Sequence, residues 1–551
     1  LPTFQLFMPA DTYETMVRDL TLTGDDGYPV TVAFDGQVFD NARIRVKGQS
    51  SRGWVKKKFK VILPPGYELE HELFPEAIDE WALHSSWSDR SFLRETLASE
   101  LMTAAGSRAL QAFPARLELN GDFYGLYTYS EQPDGSYRDR YGLDESVVYE
   151  VGPDRIYGML APEDVTRPQD QLRARYDKET FEYLDDQQLR DFIWVVNQLS
   201  GAAEREWIYA NVDVPSVVNA IAASMVIQQQ DWGVKNYRLV FDPRGRVGVT
   251  QNDFDLSWGR RWSMAVHGLD TQVYVGGAWE QPGGPFFETF MYDAELYSMI
   301  ARRVRTLAEE LLVPGDVAAR IDALYAQIAP DAGLDRQKWG TYGGAADPAA
   351  EAWRIVADYV RPQYSRILGA LVARGRVAAT SQPAVPAIGI DAVVYDGVQQ
   401  VVLRNWSGDT VDLSGFTIPE LDVTVPGGTV LLSGRSAVLV HEDATRTAGA
   451  FPGHLVAGVF DESLDDAERG FRLLNRQGAV VAAHSAVPPG SLTELDGHAG
   501  RSAFVSVVST ENRAASFLQV LDCDARPGTT SNVNADGPGQ IRAGLALARF
   551  D

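Results

Sequence analysis

The run Asp231-Trp-Gly-Val-Lys-Asn236 is followed by enough chain for a short β-hairpin and then by Asp253-Phe-Asp255. Asn236–Phe241 and Val247–Thr250 are strand-like, and Asp242-Pro-Arg-Gly245 between them is turn chemistry. Upstream, Pro215 sits at a helix start, and Val217, Val218, Ile221, Ala222, Met225 and Val226 line one face as far as Gln228-Gln-Gln230. A helix, an acid, a hairpin and an acidic pair therefore come in order. An Asp can take a hydroxyl proton, and Asn and Asp oxygens can hold hard divalent cations. Two carboxylates as close as Asp253 and Asp255 repel unless a cation lies between them. Phosphoryl transfer asks little more of a protein than such groups, well positioned.

Working outward, residues 1 to about 65 are mostly strand, with Val30–Phe34, Ala42–Val46 and Phe59–Leu63 between Gly and Asp turn signals. Ser91 to Ala105 is helical, with Leu93, Leu97 and Leu101 at four-residue spacing and Gly106 as its stop. Asn120-Gly121 between Ala115–Leu119 and Phe123–Tyr129 marks a tight hairpin. From about 165 to 375 the pattern is helical, including Ala301–Leu312, Val317–Ile328 and Glu351–Ala373, the last kinked or broken at Pro362. The Pro/Ser/Ala stretch 378–387 is linker-like. Beyond it, Gln400–Leu403, Val430–Leu432, Ala437–Val440 and Ala479–Ala482 are short strands with the spacing of a β-sandwich. A tail, 533–551, shows a weak helix near Arg542.

The formal net charge of −25 argues against a general nucleic-acid or anionic-membrane binder and still permits a local positive pocket. With one cysteine, Cys523, no intramolecular disulfide or thiolate metal site can form. The seven histidines have no paired ligand spacing, which removes the usual zinc-hydrolase pattern. No apolar run reaches a membrane-spanning length. The sequence opens at Leu1, and a removed signal peptide with a secreted or surface location is the expectation, the cytoplasm remaining open.

An Asp and an Asn five residues apart, then a later Asp, is the order protein kinases use. Further pieces are Arg45-Val-Lys-Gly48-Gln-Ser50-Ser51, Lys56-Lys-Lys-Phe-Lys60, Asp89-Arg-Ser-Phe-Leu-Arg94 and Leu119-Asn-Gly-Asp-Phe-Tyr124-Gly-Leu-Tyr127 with Glu131. With Asp231…Asn236-Tyr-Arg-Leu and Asp253-Phe-Asp255-Leu-Ser-Trp-Gly259, the chain over roughly 1 to 375 resembles the spore coat protein H (CotH) kinase family, atypical protein kinases of bacteria and some fungi. Gln49 stands where that family usually has Asn, and Asn252 where it usually has Trp. Val402-Leu-Arg-Asn405-Trp-Ser-Gly408, Val411-Asp-Leu-Ser-Gly415-Phe, Leu474-Asn-Arg-Gln-Gly478 and Arg526-Pro-Gly528-Thr-Thr-Ser-Asn532 resemble a lamin-tail domain.

The resemblance implies an α+β chain: an atypical bilobal protein-kinase-like fold followed by an all-β immunoglobulin-like sandwich. The N-terminal lobe would be 1–164, the helical lobe 165–377, the linker 378–387 and the sandwich 388–532. It implies ATP with Mg²⁺ or Mn²⁺ and a protein hydroxyl as acceptor. Asp231 would take the acceptor proton, Asn236 and Asp253 would hold metal, and Asp255 would ligate or orient its neighbour. Lys60 is the first choice for the phosphate lysine and Lys57 the second, since they lie on opposite faces of a strand. Glu100, at the margin of the apolar helix face, is preferred over Glu95 as the lysine's partner. Ser50, Ser51 and Arg52 would cradle phosphates in place of a Gly-rich loop, and Glu131 would lie near the adenine. The competing expectations are AMP transfer from the same site, and a non-catalytic surface or coat protein on a pseudokinase scaffold.

Overall fold

The computed structural model describes residues 1–48, 50–153, 157–229, 232–260, 284–394, 399–442, 455–462, 464, 470–484, 501–510, 513–522 and 533–534. Gln49, Asp231, the Arg526–Asn532 motif and the helix expected near Arg542 lie outside the described residues.

Seven strands at the N-terminus close into a barrel. They are β1 (Thr3–Phe7), β2 (Tyr28–Phe34), β3 (Gln37–Lys47), β4 (Lys58–Ile62), β5 (Glu80–His84), β6 (Ala112–Leu119) and β7 (Asp122–Glu131). Alternation turns Phe4, Val32, Ile44, Val61, Trp81 and Leu117 inward, where all are fully buried. Closure comes from the first strand: β1 pairs antiparallel with β2 and parallel with β6, Phe4 opposite Leu117. The β6–β7 turn has the sequence-expected chemistry, with Asn120 and Gly121 both at positive φ (54° and 88°). Phe59 and Val61 face the barrel core, so Lys58 and Lys60 project from its outer face.

A second sheet follows, built from β8 (Val147–Val151), β9 (Tyr176–Lys178), β10 (Tyr237–Phe241) and β11 (Val247–Gln251) in the order β11-β10-β8-β9. The expected hairpin is there, running from Tyr237 opposite Gln251 to Phe241 opposite Val247. The helix Val214–Ile227 under it is buried at every residue except Ser216. A one-faced stripe was expected; the helix is apolar nearly all round because it is central to the core.

The helix Pro314–Trp339 runs well past the expected Val317–Ile328 and reaches back to the barrel. There Arg116 bridges Asp331 at 2.6 Å, Lys56 pairs with Asp335 with neither side chain exposed, and Trp339 Nε1 donates to the Tyr124 carbonyl at 2.7 Å. The helical stretch Pro348 to Leu371 is not broken at Pro362. It takes wider π-type turns at Ile355–Val360 and Ile367–Leu371 on either side of that residue.

The C-terminal part is all β. One sheet joins Ile388–Val394, Gln400–Asn405, Ser436–His441 and Leu455–Phe460, the last two parallel; a larger sheet runs from Val423–Thr424 to Val533–Asn534. The expected linker is held down: Arg305 donates to the Ala378 and Ala379 carbonyls and Arg302 to that of Thr380. One hydrophobic core extends from Val217, Leu296 and Val304 through to Leu403, Val411 and Leu431. Arg303 fastens the junction, donating to Asn219 Oδ1 (2.9 Å), the Ala105 carbonyl (2.6 Å) and Asp412 Oδ2 (2.9 Å). The described residues are α+β, with most of the helices falling in sequence between the N-terminal barrel and the C-terminal sheets.

Candidate active site

The β10–β11 hairpin brings Asn236 beside Asn252, whose N–H donates to the Asn236 carbonyl at 3.2 Å, so Asn236 and Asp253 share one end of the sheet. Both residues are in the left-handed region, Asn236 at φ 59° and Asp253 at φ 57°, which Asn and Asp tolerate better than most side chains. The following loop is pinned on two sides. Gln229 Nε2 donates to the Asp253 carbonyl (2.8 Å) and the Trp258 N–H to that of Ile227 (2.7 Å), while Trp258 Nε1 donates to the Arg94 carbonyl (3.1 Å). The last contact joins the loop to the start of the helix Arg94–Ala104. Asp255 is thereby set against the barrel, 3.5 Å from Lys58 Nζ.

A small cavity lies at this meeting point, lined by Lys58, His84, Ser86, Asp89, Glu95 and Asp255. His84 Nδ1 and Glu95 Oε1 are 2.6 Å apart. Asp89 closes the back, bridging Arg94 at 2.6 Å and accepting from the Arg94 N–H at 2.9 Å.

The electrostatics are unbalanced. Burial acts to raise Asp253, but the opposing charge, Lys58 foremost, outweighs it and holds the carboxyl below its ordinary value. Burial and the neighbouring Asp253 push Asp255 up, outweighing Lys58 and Arg260. Lys58 is held above its usual value, Asp253 and Asp255 overcoming its burial. Burial lifts Glu95 to about 8 and, with Lys58 and Lys47 nearby, takes His84 down to about 3. At neutral pH Glu95 therefore carries the proton and donates it to a neutral His84.

The oxygens suit a hard cation. Asp253 Oδ1 is buried with no hydrogen-bond partner among the described residues, an arrangement that a bound cation would satisfy. Among the described residues no three His, Cys, Asp or Glu side chains form a metal cluster.

A family model described as CotH kinase protein matches residues 44–365, more than half of the chain. The chain belongs to the CotH kinase protein family. One relative, Inner spore coat protein H of Bacillus subtilis (strain 168), is 25% identical over 265 residues, 47% of this chain and 70% of the relative. The CotH region contains Lys58, His84, Glu95, Asn236, Asp253 and Asp255, and stops short of the C-terminal sheets.

Of the residues expected at the CotH site, Asn236 and Asp253 lie at one end of the β10–β11 hairpin and Asp255 faces Lys58, while Asp231 lies outside the described residues. Lys60 is a correction: its Nζ is 2.6 Å from Glu80 and 3.4 Å from Asp25, two positions further along β4 than Lys58. Lys57 is turned elsewhere as well, donating to the Arg52 carbonyl at 2.6 Å. Glu100 pairs with Arg320 on the exposed side of its helix, and Glu95 occupies the site instead. The apolar stripe misled here because the first turns of that helix are buried all round, Glu95, Thr96 and Ser99 included.

Glu131 is buried and bound by Arg140 (2.6 Å) and the Gln111 N–H (2.8 Å), so its carboxylate is already occupied. Ser50, Ser51 and Arg52 form a short 3₁₀ turn after Gly48, and Arg52 donates to the Leu20 carbonyl at 2.7 Å, away from the acids. At Gly48 a Cβ would stand 2.0 Å from Ser51 Oγ, and φ is 107°, so glycine is required for the turn. Lys58 could have been found from the Phe59/Val61 alternation, which places it on the same face as Lys60. His84 left no signal in the sequence.

Proposed function

We propose that this CotH-family protein is a metal-dependent phosphotransferase moving the γ-phosphoryl of ATP to a protein hydroxyl. The observation that carries the reading is Asp253, a half-buried, ionised carboxylate whose buried Oδ1 has no partner among the described residues, next to a second acid that faces a lysine. Asp253, Asp255 and Asn236 would hold Mg²⁺ or Mn²⁺, which when bound neutralises phosphate charge. Lys58 would hold the α/β-phosphates, with His84 and Glu95 lining the pocket beside it and Asp231 as the expected base. On this reading the β1–β7 barrel and the sheet-and-helix region act as the two lobes of an atypical kinase-like fold. The C-terminal sheets would be a lamin-tail-like, immunoglobulin-like sandwich. The relative's name supports a coat or surface setting, and no described helix is long and apolar enough to cross a membrane.

The test is ATP turnover by the parent and by Asp253→Asn, with Mg²⁺ or Mn²⁺ and with EDTA. The expected result is ADP formation that EDTA abolishes and the variant reduces about 10²- to 10³-fold. Equal turnover in the variant would sink the reading, and pyrophosphate in place of ADP would turn it toward AMP transfer.

A further inference from the structure

A second cavity, about 270 Å³, lies away from Lys58 and Asp255, where the β10–β11 turn and the segment Met102–Ala109 meet the C-terminal sheets. We infer that it binds a small molecule carrying a doubly charged oxyanion. Its charged lining is Arg108, Arg244 and Arg246 against Asp213 and Asp242. The turn sets how those charges are shared. Asp242 Oδ1 is taken by the N–H groups of Arg244 (3.0 Å) and Arg246 (2.8 Å). Oδ2 alone therefore faces two guanidiniums, at 3.1 Å from Arg246 Nε and 3.4 Å from Arg244 Nε.

Asp213 is shared in the same way. Its Oδ1 caps the helix Val214–Ile227 at the Ser216 N–H (3.3 Å), and Oδ2 is 3.5 Å from Arg108 Nη2. Three planar forks thus meet two carboxylate oxygens, and each fork is shaped to grip a phosphate or carboxylate through paired N–H groups. Three guanidiniums against two carboxylates leave positive charge in excess at this wall, and burial with the neighbouring Arg246 depresses Arg244. Leu143, Val240, Val249, Phe254 and Val456 supply apolar walls for a neutral body. Cavities of this kind are commonest where two folded units meet, as these do. Gln251 and Phe254 line the cleft and flank Asn252 and Asp253, so an occupant would touch the segment that holds the candidate metal ligand.

The experiment is calorimetric titration of the full chain with inorganic phosphate and with citrate at fixed ionic strength. The variants are R244Q/R246Q, V459W and K58M. Val459 is 41% exposed at the rim, so tryptophan there fills the mouth without touching a charge. The parent should bind at least one anion, with affinity about tenfold weaker in R244Q/R246Q and in V459W and unchanged in K58M. Phosphate binding alone assigns a phosphate ester, and citrate binding alone a polycarboxylate. Absence of heat with both anions, affinity retained in V459W, or loss confined to K58M would each overturn the inference. V459W decides the matter should the double variant fail to fold.

Discussion

Arg303 with Asp412 is a buried ion pair and Lys58 with Asp255 a partly buried one on the same chain, and they are built in opposite ways. Around Asp412 the donors match the acceptors. Oδ2 takes Arg303 Nη1, while Oδ1 takes the Ser414 N–H and hydroxyl with Arg476 3.3 Å away. Burial alone would raise this carboxyl, but the two arginines bring it down to about 2. Around Asp255, Lys58 and Arg260 act against burial and Asp253 without cancelling them, so that acid is pushed up, and among the described residues Asp253 Oδ1 is left without a donor. A pair that only holds structure is saturated by the protein itself. A pair left short of positive charge in a cleft is poised for a ligand that supplies it.

The largest effect that could break this contrast is at the saturated pair. Arg303→Met leaves Asp412 buried beside a lost partner and orphans Asn219 Oδ1, while the Ala105 carbonyl keeps only its bond from Asn219 Nδ2, so it should cost about 3–5 kcal/mol. Urea unfolding of the full chain measures it. A midpoint equal to the parent's would mean that the junction is held by its apolar core alone.

How much of this was legible follows the physics of each element. The barrel hairpin and the β10–β11 hairpin were readable because their turn residues act locally, Asn120-Gly121 through positive φ and Asp242-Pro-Arg-Gly245 through the Asp242 side chain. Barrel closure was not, since the parallel pairing of β1 with β6 joins residues more than a hundred positions apart and leaves no local pattern. Asn236, Asp253 and Asp255 were named because spacing around one hairpin brings them together. Lys58 and Glu95 were displaced onto Lys60 and Glu100 because face and stripe arguments give a side chain's direction and not which position along it meets a partner from another element. The helix Pro314–Trp339 was cut short for the same reason. Asp331 and Asp335 are polar until Arg116 and Lys56 of the barrel are placed beside them.

An intermediate effect sharpens the unsaturated side. Lys58→Met should lower kcat/KM for ATP about 10²-fold, roughly 3 kcal/mol of transition-state stabilisation. Lys60→Met removes a cation already engaged by Glu80 and Asp25, and should change kcat/KM by no more than about twofold. The reverse ranking would return the phosphate lysine to Lys60 and leave Lys58 as a counter-ion only.

The smallest effect bears most directly on the contrast. Asp255 has its folded carboxyl raised by burial and by Asp253, so the folded chain holds that proton more tightly than the unfolded chain does. Stability from such a group is fully present below the ordinary carboxylate range near pH 4 and is lost as pH rises through the raised folded value. Asp255→Asn removes that loss. At neutral pH in EDTA the variant should be more stable than the parent, by on the order of 1 kcal/mol, with a flatter profile above pH 4. Added Mn²⁺ should reverse the order, since the parent then gains by mass action, about 3 kcal/mol at a hundredfold excess over Kd, and the variant gains less. Thermal melts across pH, with and without metal, read both arms. Superimposable profiles in EDTA would show that Lys58 and Arg260 already compensate Asp255, and the site would then be saturated in the same way as Arg303 and Asp412.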